Sequence, residues 1–165
     1  MELFSGYNPK LVDYEKFRRD CAKDFDFVVL SGGSIHISNP DELVEEKVFL
    51  KKTNKPVLGI CLGLQLLGVA FGSKILELPN IRRGFFDFEL FGKKGKIYFA
   101  HSWFLKDAPK EFEVLRKSGD IIEVMVHKKK PFLGLQAHPE MSGEYGVIIR
   151  DLFINRFVKR NEKNE

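Results

Sequence analysis

The sequence predicts an α/β fold, a parallel sheet with helices packed on it, extended by antiparallel strands in the second half. Three observations lead there. Phe25–Leu30 (FDFVVL) and Pro56–Ile60 (PVLGI) are short apolar runs, as strands buried on both faces should be. Helical patterns follow both runs, giving the strand–helix–strand–helix rhythm of a parallel sheet. Beyond Gly84 the apolar residues alternate with polar ones in closely spaced short runs, which hairpins must connect.

Taken in order, Asn8-Pro9 has the form of an N-cap and first-turn proline, and Leu11, Tyr14, Phe17 and Cys21 follow at helical spacing. Ser31-Gly32-Gly33-Ser34 ends the first strand. Asn39-Pro40 repeats the helix-start signal ahead of a charged amphipathic helix reaching about Lys52. Cys61–Phe71 reads as a buried helix. Phe86, Phe88 and Leu90 alternate with Asp87 and Glu89, Gly92–Gly95 reads as a turn, and Lys96–Ala100 as a strand. Strands are expected at Glu113–Lys117, Ile122–His127 and Phe132–Ala137. A terminal helix from Glu144 onward presents Ile149, Leu152, Phe153 and Phe157 on one face.

The 165 residues make about one domain, large enough for a real core. Hydrophobic residues at 44% and charged residues at 30% exclude a disordered chain, a collagen and a coiled coil. The net charge of +4 lies in short clusters (Lys93 to Lys96, Lys128 to Lys130, Lys159 to Lys163) that read as solvated turns, so no nucleic-acid partner is expected. Two cysteines and no signal peptide point to a reducing, cytoplasmic setting. Residues 56–72 are apolar, but they are short for a membrane span and carry Gly59, Gly63, Gly68, Gly72 and Gln65. Phe supplies 16 of the aromatic residues, through composition bias or an apolar docking surface.

Three segments carry chemistry. Val57-Leu58-Gly59-Ile60-Cys61-Leu62-Gly63-Leu64-Gln65 places a cysteine at a strand-to-helix turn with glycine two residues before and after it, the pattern of a nucleophile elbow. The helix dipole there favours a thiolate. Alone, Cys61 also reads as a small buried hydrophobe. Gln136-Ala137-His138-Pro139-Glu140 adds a base and an acceptor to orient it, with proline stiffening the turn. Ser31-Gly32-Gly33 ends a strand where a glycine N–H, that of Gly33, joins the N–H of Leu62 as an oxyanion donor. By itself this is an ordinary strand-ending turn. His36, His101 and His127 fit no metal-ligand spacing. His101 is expected to shape a pocket, and His36 and His127 to sit on the surface or in loops.

In this order and spacing, the segments resemble the class I, triad-type glutamine amidotransferases over about residues 2–157. The resemblance implies a flavodoxin-like doubly wound sheet with an antiparallel extension, one domain over residues 1–158, and a frayed tail at residues 159–165. It implies a glutaminase half-reaction with Cys61 as nucleophile, His138 as acid and base, and Glu140 as the group holding the imidazole. Gln65 and the backbone of Ser102 and Trp103 would bind glutamine. Ammonia would pass to a separate synthetase subunit, which would hold ATP and magnesium; this chain would need no cofactor and no metal. Two departures stand out. Family members usually open with a strand and helix ahead of the segment that resembles Met1 to Pro9, so the chain is expected either to be shortened, with a partner compensating, or to have its true start upstream. Ser34 stands where many relatives have proline.

Phe112 to Lys128 and Pro131 to Gly134 look like the glutaminase subunit of archaeal-type GMP synthase, whose partner is an ATP-pyrophosphatase. That subfamily usually carries an acid near the position of Trp103. Tyr98 to Trp103 also resembles the histidine-pathway (imidazole glycerol phosphate synthase) glutaminase, and the His-Ser pair resembles the glutaminase chains of anthranilate and aminodeoxychorismate synthase. A non-catalytic binding or regulatory relative is the remaining alternative. Phe85, Phe86, Phe88, Phe91 and Phe104 fall where a synthetase is expected to dock.

Overall fold

The computed structural model describes residues 2–35, 37 and 42–161. The main sheet contains β1 (Val28–Leu30), β2 (Val57–Ile60), β5 (Phe112–Ser118), β6 (Ile121–His127) and β7 (Phe132–Leu135). A separate hairpin is formed by β3 (Ile75–Leu90) and β4 (Lys93–Leu105). The strand order of the main sheet is β1-β2-β7-β6-β5. β1, β2 and β7 are parallel, and β7, β6 and β5 are antiparallel in turn. The change of direction lies at β7, the last strand of the chain, which runs parallel to β2 and antiparallel to β6.

Helices cover both faces of this sheet. Phe49 and Leu50 of α1 (Val44–Lys52) and Leu64 and Leu67 of α2 (Leu62–Ala70) pack with Val57, Met125 and Phe132. Ile149 and Phe153 of α3 (Gly143–Phe153) pack with Leu58, Ile60, Leu133 and Leu135. Adjacent residues of β2 and β7 therefore feed opposite cores, which explains why every residue of both strands is buried. A π turn at Ile154–Val158 and the short α4 (Lys159–Asn161) continue α3.

The hairpin departs from expectation. Its turn is the pair Phe91-Gly92, with φ of 49° and 78°, as a two-residue type I′ turn requires, rather than a loop over Gly92–Gly95. β4 then runs on to Leu105, so His101, Ser102 and Trp103 belong to a strand. A register shift between Glu77 and Arg82 lets β3 bend around Pro79. Of the five phenylalanines expected at a docking surface, Phe88 is core, and Phe91 packs against Phe157. Phe85 and Phe86 are exposed.

A buried ionic cluster fastens the hairpin to the main sheet. Glu123 of β6 is fully buried and pairs with Arg82 of β3 at 2.5 Å and with Arg116 of β5. Arg82 also lies over the rings of Phe99 and Phe86, at 4.1 Å and 4.7 Å from their centroids.

The expected helix after Asn8-Pro9 does not form. Glu2–Tyr7, Tyr14–Lys16 and Arg19–Ala22 are 3₁₀ turns joined by extended chain. Asn8 has φ of 49°, unlike the extended backbone of an N-cap, and Arg18 is extended between two turns. The apolar residues are used singly: Tyr14 and Phe17 pack on the core under α1 and α2, while Leu11 stays exposed. The signal at Asn39-Pro40 lies outside the described residues. No helix among the described residues is long and apolar enough to cross a membrane.

Candidate active site

Cys61 stands between the last residue of β2 and the first of α2, with φ of 51° and ψ of −101°. A side-chain-bearing residue holds such a conformation at a cost of about 1–3 kcal/mol, which the surrounding structure must override. Two glycines make that possible. A Cβ on Gly63 would lie 2.2 Å from the carbonyl oxygen of Leu30, and one on Gly59 would lie 2.7 Å from the Gly63 carbonyl. Strand and helix therefore approach more closely than any side chain at these positions allows. The Cys61 N–H still donates to Leu135 O at 2.7 Å, so the elbow is pinned to β7.

His138 and Glu140 follow β7. The His138 N–H donates to Tyr98 O at 2.7 Å, and the Ser142 hydroxyl donates to His138 O at 2.6 Å, fixing the segment to β4 and to the start of α3. His138 Nδ1 donates to Glu140 Oε1 at 2.6 Å. Burial alone would lower the imidazole's pKa. Its bonding and charge interactions with Cys61 and Glu140 overcome this and raise it to about 10. Nε2, the ring nitrogen not bonded to Glu140, is buried.

The Gly32-Gly33 loop closes on this pair. A Cβ on Gly32 would lie 3.0 Å from His138 Cε1 and 3.7 Å from Cys61 Cβ, and one on Gly33 would lie 3.1 Å from Leu62 Cδ2. The loop and the first turn of α2 are thus adjacent. Leu62 opens a helix whose first N–H groups have no intrahelical acceptor. The loop is held from below by Tyr14, whose hydroxyl donates to Ser31 O at 2.9 Å. Burial, and then the charge of Glu46, push the phenol's pKa well above its ordinary value.

The Gly33 loop, the elbow and β4 border a cavity of about 280 Å³, lined among others by Gly33, Cys61, Leu62, Gln65, Ser102 and Trp103; His138 and Glu140 are not among its lining residues. All five expected oxyanion and substrate-binding residues therefore share one cavity with Cys61. A larger open groove of about 530 Å³, lined by hairpin residues and Arg116, shares no lining residue with it and contains no cysteine, serine or threonine. Gln65 Nε2 donates to Trp103 O at 2.8 Å, and His101 Nδ1 donates to the same oxygen at 3.0 Å. Burial drives the His101 pKa down to about 4, with Arg82 and His138 adding to the effect, so this ring is neutral. Gln65 thus braces the cavity wall in addition to lining it.

Gln136 is a site residue that the sequence motifs do not single out. It is fully buried, and its Nε2 donates to Cys61 Sγ at 3.6 Å. A signal was present all the same: Gln136 and His138 are two apart at the end of a strand and point to one face. His127, expected on the surface or in a loop, is the last residue of β6 and is half-buried. Its Nδ1 accepts the N–H groups of Lys129 and Lys130, both at 3.0 Å, and its ring packs among Phe71, Phe112 and Phe132. His36 lies outside the described residues. Both cysteines are free thiols.

Residues 5–155 match the family model described as glutamine amidotransferase class-I. The chain belongs to the class I glutamine amidotransferase family. Among the relatives of this amidotransferase is a subunit of the glutamine-hydrolyzing GMP synthase of Archaeoglobus fulgidus, 33% identical over 144 residues that cover 80% of this chain and 76% of that one. The corresponding subunit of Methanocaldococcus jannaschii is 33% identical over 138 residues, covering 75% of this chain and 70% of that one. The glutamine-hydrolyzing GMP synthase of Lactobacillus gasseri is 29% identical over 89% of this chain, and the match spans only 30% of that relative's length. In three dimensions the chain resembles a putative GMP synthase subunit from Thermoplasma acidophilum, with a TM-score of 0.84, 22% identity and coverage of 99% and 88%. It also resembles a glutamine amidotransferase from Thermotoga maritima, with a TM-score of 0.69, 20% identity and coverage of 99% and 77%. At these identities the structural likeness speaks for the fold alone.

Proposed function

We propose that this amidotransferase hydrolyses glutamine to glutamate and ammonia through a cysteine thioester, as the ammonia-supplying subunit of a glutamine-dependent synthetase. The observation that carries the reading is Cys61, held at positive φ on a glycine-flanked elbow and facing the His138–Glu140 pair. The Cys61 thiolate attacks the side-chain carbonyl carbon of glutamine. The N–H groups of Gly33 and Leu62 receive the negative charge that develops on the oxygen. His138, held as imidazolium at neutral pH, donates its proton to the departing nitrogen, and ammonia leaves. The neutral imidazole then takes a proton from water as that water attacks the thioester. Collapse releases glutamate, and the sulfur leaves as thiolate beside a reprotonated ring. Glu140 holds the ring's orientation throughout. The cavity suits a ligand of amino-acid size, with Gln65, Ser102 and Trp103 on its wall.

The relatives from Archaeoglobus fulgidus and Methanocaldococcus jannaschii favour GMP synthase as the assembly served. The separate partner chain would then be the ATP-pyrophosphatase that the sequence resemblance implies. Reconstitution tests both levels. With the cognate synthetase, Cys61→Ala abolishes glutamine-dependent synthesis and spares the ammonia-dependent reaction. Survival of glutamine-dependent synthesis in that variant contradicts the assignment of Cys61. Failure of the wild-type chain to support GMP formation, with glutaminase activity intact, contradicts only the choice of acceptor.

A further inference from the structure

We infer that the side-chain amide of Gln136 is a working part of the nucleophile, stabilising negative charge on the Cys61 sulfur and tying it to the strand that walls the cavity. The inference rests on Cys61 being the nucleophile.

Gln136 follows β7 directly, and its backbone N–H donates to Glu123 O at 2.9 Å, so its place is fixed by the sheet. Strand alternation sends Leu135 and Ala137 into the core beneath α3, while Gln136 turns the other way, toward the elbow. The side chain has no exposure, and a carboxamide there is costly unless its polar atoms are bonded. Both ends are bonded, and each partner belongs to the site. Nε2 donates to Cys61 Sγ at 3.6 Å, and Oε1 accepts from Gln65 Nε2 at 3.4 Å. The same Gln65 nitrogen donates to Trp103 O at 2.8 Å.

The result is a chain of contacts, Cys61–Gln136–Gln65–Trp103, running from sulfur to cavity wall without crossing solvent. An apolar residue of similar volume would fill the space equally well. What the amide adds is an N–H dipole aimed at the sulfur in a water-poor setting, where a hydrogen bond to a charged acceptor is strong. That donor favours the thiolate before attack and again when the thioester collapses and sulfur leaves.

The test is alkylation of Cys61 by iodoacetamide, which needs neither glutamine nor a partner. At pH 7, Gln136→Met is expected to slow Cys61 modification roughly tenfold relative to wild type, as loss of a hydrogen bond to a charged sulfur implies. Raising the pH should recover most of that rate. Gln136→Glu keeps the acceptor for Gln65 but removes the N–H donors, and it should be at least as slow at pH 7. In the glutaminase reaction, both variants should lower kcat, and Gln136→Glu, which keeps the acceptor for Gln65, should leave KM within a factor of about two, since the group acts on sulfur rather than on bound substrate. An unchanged alkylation rate in either folded variant overturns the inference. So does a loss confined to KM. Neither result touches the assignment of Cys61 as nucleophile, which active-site labelling decides separately.

Discussion

His138 Nδ1 donates to Glu140 Oε1 at 2.6 Å across the single residue Pro139. The contact sets the ring's orientation and, with Cys61, overcomes the effect of burial to hold the imidazole charged up to about pH 10. A histidine whose folded pKa exceeds its unfolded value of about 6.5 stabilises the protein fully below pH 6.5. That stabilisation is lost as pH rises toward 10. Glu140→Gln should therefore lower the His138 titration midpoint, followed by NMR of the ring carbons. It should cost more stability at pH 6 than at pH 10.5.

His101 has the opposite sign. Burial holds it neutral down to about pH 4, so its contribution is present above pH 6.5 and lost as pH falls to 4. Urea unfolding across that interval should show a steeper loss for the wild type than for His101→Asn, which has no group to titrate there.

Gly63 is a packing limit, because a Cβ would lie 2.2 Å from Leu30 O, a backbone atom that cannot swing aside. Gly63→Ala should cost about 3 kcal/mol or more in urea unfolding, with the elbow displaced and Cys61 labelling slowed. Gly6, where a Cβ meets nothing within 4 Å, is the control, and Gly6→Ala should stay within about 0.5 kcal/mol of wild type.

Glu123 is the only carboxylate paired with both Arg82 and Arg116 among the described residues, and it is fully buried. Glu123→Ala leaves two guanidinium groups without that partner and should cost about 3–5 kcal/mol in urea unfolding. The hairpin is the part expected to loosen, read as faster amide exchange along β4 than in β2 and β7.

Much of this was legible in the amino-acid order because local chemistry dictates it. The buried parallel strands announced themselves as apolar runs. Gly59 and Gly63 marked the elbow because close backbone approach leaves no other residue. His138-Pro139-Glu140 carried its own geometry within three residues. What escaped was set by distant packing. The stripe of Leu11, Tyr14, Phe17 and Cys21 has helical spacing, yet Tyr14 is drawn to Ser31 O and Phe17 to Phe49, so the chain breaks into 3₁₀ turns. The strand ending expected at Ala100 runs to Leu105 because β3 pairs with it past the bulge. Gln136 escaped because its partner Cys61 is 75 residues away in the chain.

The most direct test is labelling with a glutamine-mimicking diazo-ketone, mapped by mass spectrometry with the cognate synthetase present. The expected result is a single adduct on Cys61, none on Cys21, suppressed by excess glutamine. A chain that carries no adduct on Cys61 under those conditions is not using it as a glutaminase nucleophile, and the proposed reaction fails.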